Sequence, residues 1–123
     1  MQSTNNGNRQ GVNSFPTSIT WQTAAPVELD CGRLHAAGNA MPQVRSSRRL
    51  SELGELDAQV SHVRAAITAA LEQILAGMQP SRAQLTELRA EIASATLVAA
   101  NARLGAAGVV LLDLNIDTLQ PLS

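Results

Sequence analysis

The last twenty residues, LGAAGVVLLDLNIDTLQPLS (104–123), admit two backbone readings, and the choice between them sets the fold class. Two glycines and a β-branched pair permit a strand from Val109 to Ile116. Val109, Leu112, Ile116 and Leu119 keep helical spacing instead, and we read the stretch as a helical continuation bent near Gly105 to Gly108. On either reading an apolar tail needs cover, from the same chain or from another copy.

Upstream, the spacing predicts two helices. Ser51 is a good N-cap placed before acidic Glu52. From there Leu53, Leu56, Val60, Val63, Ile67, Ala70 and Ile74 follow steps of three and four, the pattern of a heptad seam, while Glu55, Gln59, His62, Arg64 and Glu72 take the opposite face. This predicts a helix over 51–77 with Gly77 as its C-cap. Pro80 suits the first turn of the next helix, and Ser81 with Gln84 has capping-box spacing. That helix is expected over 81–104, with Leu85, Leu88, Ile92 and Ala95 on one stripe and Leu97, Val98 and Leu104 beside it. Its many alanines suit close packing against a neighbour. A short connection makes an antiparallel hairpin the expected arrangement.

Residues 1–50 read differently. Pro16, Pro26 and Pro42 break any helix, glycines are scattered, and no two-residue or 3.6-residue apolar period persists. The first twenty residues are mostly Ser, Thr, Asn, Gln and Gly, with Arg9 their only charge. Such a segment buries too little apolar area to fold alone. A short helical turn around 27–38 is compatible with its residues. The expected fold is therefore all-α: a coiled-coil-like helical hairpin with an apolar tail over 51–123, preceded by a disordered polar leader over 1–50.

Composition narrows the function classes. A chain of 123 residues holds one domain, and Phe15 and Trp21 are its only aromatics, too few large side chains to wall a substrate pocket. All nine basic residues are Arg; five face two acids in 1–50, and four face eight acids in 51–123. That mild asymmetry is unlike a nucleic-acid-binding chain. Cys31 stands alone, so neither an internal disulfide nor a cysteine metal cluster can form. No Sec-type signal opens the chain, and the run AAGVVLL (106–112) is too short to span a bilayer.

No catalytic motif is present. His62 falls on the polar face, His35 in the leader, and Glu87 with Glu91 lie one turn apart without a partnering His. Arg45, Arg48 and Arg49 cluster before the first helix; contact with a phosphate or an acidic partner is chemically open to them, but without interleaved aromatics they read as a solubilising flank. We expect no enzyme, no cofactor and no metal.

The stretches PSRAQLTELRAEIASATL (80–97) and NIDTL (115–119), behind a polar front, resemble the inner rod proteins of bacterial type III secretion systems. In that family a Pro-led segment opens the last helix and the chain ends on an Ile/Val-x-x-Leu motif. The segment GVVLLDL and the missing basic positions near the helix end depart from the family pattern. The resemblance implies a small structural, virulence-associated subunit of a secretion or other self-assembling apparatus, cytoplasmic before assembly and exported without a Sec signal through its unfolded front. Its partners would be copies of itself or other apparatus subunits. The alternative is a helical chaperone or adaptor that holds one partner helix in its seam. Under both, the contact residues are Leu53, Leu56, Val60, Val63, Ile67, Ile74, Leu85, Leu88, Ile92, Leu97, Ile116 and Leu119.

Overall fold

The computed structural model describes residues 15–122. They form strands β1 (Ile19–Gln22), β2 (Val27–Leu29) and β3 (Gly32–Val44), helices α1 (Ser47–Ser51), α2 (Leu56–Met78), α3 (Arg82–Glu87) and α4 (Arg89–Leu104), a 3-10 turn (Gly105–Ala107), and strand β4 (Val109–Pro121). The all-α expectation is thus corrected. The chain is a two-layer α/β sandwich, with a four-stranded antiparallel sheet under helices α2 and α4.

β3 is the spine of the sheet. Its 37–40 segment pairs with β1 and its 32–34 segment with β2, both along one edge, while β4 pairs along the other edge from Leu34 to Val44. β3 therefore alternates: Leu34, Ala36, Gly38, Ala40 and Pro42 are buried, and Arg33, His35, Ala37, Asn39, Met41 and Gln43 face outward. The stretch expected to be a leader or a helical turn is a β-hairpin instead, with Leu29 paired to Gly32 across Asp30 and Cys31. The remaining part of the expected leader, residues 1–14, lies outside the described residues.

β4 replaces the expected helical tail, and its periodicity explains the misreading. Leu111 pairs with Pro42 and Asp113 with Met41, so Leu112 is an extra residue; Ile116 pairs with Gly38 and Thr118 with Ala37, so Asp117 is another. Each bulge adds one residue to the strand. Val109, Leu111, Leu114, Ile116 and Leu119 are buried, at steps of two, three, two and three. That average lies between strand and helix. The bulge beside Pro42 also accommodates a residue that has no N–H to give to a ladder.

The helical layer keeps the predicted Ser81 start, with both capping-box bonds formed. Ser46 rather than Ser51 caps the first helical turn, Gln79 rather than Gly77 ends α2 in the left-handed region, and the second helix breaks at Leu88 into α3 and α4. α2 buries Val63, Ala66, Ile67, Ala70, Leu71 and Leu75. This stripe is wider than a two-position seam and is that of a helix lying on a core. α4 buries Ile92, Thr96, Ala100 and Leu104 at four-residue steps and packs on α2 and β4. Thr96 Oγ1 is buried without a hydrogen-bond partner among the described residues.

Candidate functional site

The contact positions read from the sequence lie in the chain's own interior. Val63, Ile67, Leu85, Ile92, Ile116 and Leu119 are buried members of one core. Leu53, Val60, Ile74, Leu88 and Leu97 are half-buried and packed against that core, and Leu56 is half-buried at the start of α2. Helix α4 and the sheet of the same chain cover the stripe that would have sought a partner helix.

Three helical side chains also bond to the sheet margins. Arg64 of α2 donates Nε–H to Thr20 O of β1 at 2.8 Å. Asn101 of α4 meets the main chain of Leu111 as a neighbouring strand would: Leu111 N–H donates to Asn101 Oδ1 at 2.7 Å, and Asn101 Nδ2 donates to Leu111 O at 3.1 Å. Arg89 donates from one terminal nitrogen to Ile116 O and Asp117 O, at 3.5 and 3.3 Å. Bare strand edges invite pairing with another chain, and covering their polar groups blunts that tendency. None of the three was legible in the sequence, because each acts on main-chain atoms that carry no residue signature. Asn101→Ala should leave Leu111 unpaired and lower stability by about 1–2 kcal/mol. Amide hydrogen exchange should then be faster at Leu111 than in the unaltered chain, and unchanged protection there would remove Asn101 from this role.

With the helical stripe internal and the margins bonded, the uncovered face of the sheet is the candidate binding surface. At its centre Asn115 Nδ2 donates to Asn39 Oδ1 at 3.2 Å, and Asn39 Nδ2 reaches Asp117 Oδ2 at 3.5 Å. Beside this chain of amides lies a concavity of about 620 Å³, lined by Thr20, Gln22, Ala37, Arg64, Asp117 and Thr118 among others. Toward α1 the face becomes apolar. Met41 and the bulge residue Leu112 are 46% and 54% exposed, values that matter because the rest of the exposed face is mainly polar, and half-buried Val110 adjoins them opposite Gln43. The bulge turns Leu112 outward next to Asp113, and Asp113 is paired with Met41.

Arg33 and His35 stand at the other end of the face, where β3 begins. Thr23 Oγ1 lies 3.1 Å from His35 Nδ1 and fixes that ring's position. Among the described residues no group of three or more His, Cys, Asp or Glu could hold a metal ion, and no helix is long and apolar enough to cross a membrane. Glu87 and Glu91 are exposed, as is His62. The arrangement presents amide, hydroxyl and apolar groups on a rigid support, which suits contact with another surface. The sequence matches no model of a protein family, and no curated protein matches it.

Proposed function

We propose that this chain is an assembly subunit that associates with a second copy of itself through the uncovered face of its sheet. The assembly role expected from the sequence is kept; the helical mode of contact is not, because the helices are spent on the chain's own core. The observation that carries the reading is the exposed Met41–Leu112 pair, with Val110 beside it, on a sheet whose margins are bonded to helical side chains.

The size of the face supports it. A face about 13 residues long and three strands wide spans roughly 40 by 15 Å, or about 600 Å² per copy, the lower range for specific contacts.

Light scattering coupled to gel filtration, on the full chain over a tenfold concentration range, tests this. The mass should rise from one copy toward two, and Leu112→Glu should hold the chain at one copy with its circular dichroism unchanged. A single-copy mass at every concentration, or equal association by the variant, would overturn the reading.

A further inference from the structure

A second feature borders the end of that face, at the corner where β3 runs into α1. The N–H groups of Arg45 and Ser46 both donate to Gly108 O, at 2.7 and 3.0 Å, and the Ser46 side chain accepts from Arg49 N at 3.3 Å. Gly108, at a φ of 78°, closes the 3-10 turn directly against this corner. A Cβ there would lie 2.6 Å from Ser46 O and 3.1 Å from Arg49 Cβ, so only glycine permits the approach. The backbone that carries Arg45 and Arg49 is thereby held rigidly. Both side chains, with Ser46, Asn101 and Gly105, line one concavity of about 500 Å³.

No carboxylate lines this hollow. The amide groups of Arg45 and Ser46 are taken by Gly108, and the Asn101 amide by Leu111, so the groups left to recognise a ligand are two guanidinium ions and the Ser46 hydroxyl proton. A guanidinium is a planar fork that stays charged at any physiological pH and bonds two oxygens at once. Two such forks on one rigid corner match a tetrahedral oxyanion that carries two negative charges. A carboxylate, with one charge and two oxygens, would satisfy only one fork.

We propose that Arg45 and Arg49 bind the phosphoryl group of a small soluble ligand, a phosphate monoester or a pyrophosphate, with Ser46 Oγ as an additional donor. Val110 lines this hollow and also adjoins the Met41–Leu112 pair, so the two surfaces border each other, while the phosphoryl contacts come from Arg45, Arg49 and Ser46 alone.

Phosphorus NMR titration of the full chain with inorganic pyrophosphate tests the proposal, with acetate as the monoanionic control. Saturable binding is expected for pyrophosphate and none for acetate. Arg45→Gln and Arg49→Gln should each weaken it about tenfold or more, the equivalent of one charge-assisted bond. Both side chains are exposed, so thermal unfolding should be unchanged in either variant. No saturation by pyrophosphate, or undiminished binding by the double variant, overturns the assignment. So does sedimentation with phosphatidylserine vesicles in the absence of saturable pyrophosphate binding, since that would mark a diffuse surface attraction rather than a site.

Discussion

Gly38→Ala should destroy the native fold. Gly38 sits in the middle of β3, opposite Trp21 on one side and Ile116 on the other, at the point where the β4 register shifts. A methyl group there would lie 1.9 Å from Asn115 O, 2.9 Å from the carbon of the same carbonyl, and 2.9 Å from Trp21 Cζ2. The first two are main-chain atoms of the paired strand, so relief requires β4 to move away and its ladder to open. Such a clash belongs with the exceptional substitutions costing more than about 4 kcal/mol, against a total stability of about 5–15 kcal/mol for a domain. Urea denaturation followed by the fluorescence of Trp21, the single tryptophan, is the direct measurement. Gly77→Ala is the matched control: nothing lies within 4 Å of its added carbon, and a helix interior prefers alanine by up to about 1 kcal/mol. If Gly38→Ala unfolds within about 1 kcal/mol of the unaltered chain, the close approach of β4 at the second bulge is wrong.

That same glycine shows why the sheet was hard to read. The buried face of β3 is Leu34, Ala36, Gly38, Ala40 and Pro42, and its open face includes Ala37 and Met41. Alternation of apolar and polar residues is the signal of a half-buried strand, and here small residues stand on both faces, so the contrast is nearly flat. At Gly38 the side chain is missing because β4 and Trp21 crowd the strand, a tertiary demand with no local signature. In β4 the signal is present but rephased. Two bulges turn a period of two into alternating steps of two and three, and Val109, Leu112, Ile116 and Leu119 then mimic a helix although Leu112 faces the opposite way from the other three. The helices were legible because their caps and stripes are local: Ser81 with Gln84 forms the expected box, and the α2 stripe appears where the spacing puts it. A stripe states that something covers it, not what.

The candidate surfaces divide along the same line. Leu112 entered the sequence reading as one position of an apolar period, and only the bulge turns it outward. The cluster of Arg45, Arg48 and Arg49 was visible as a run, but its selection was not. The Gly108 turn places two of the three in one hollow, while Arg48 is not among the residues lining it.

Ile67→Asp should unfold the single chain rather than separate one copy from another. Ile67 and its neighbours Val63, Ala70 and Leu71 have no exposed surface, and α2 packs on α4, β1 and β2 of the same chain. A carboxylate placed there loses its hydration without gaining a partner, and loses the burial of an isoleucine as well. Together these cost several kcal/mol, comparable to the whole stability of a domain this size. Circular dichroism and urea denaturation at a concentration where light scattering gives a single-copy mass should show no cooperative transition. His62→Ala, five residues earlier on the exposed side of α2, should change the midpoint little. The comparison separates two physical meanings of one apolar stripe. If it is covered by α4, β1 and β2 of the same chain, the charged variant has no folded form at any dilution, whereas Leu112→Glu keeps its fold and loses only its second copy. If it were covered by another chain, Ile67→Asp would stay folded alone with an undiminished transition, and the packing of α2 on its own sheet would have to be abandoned.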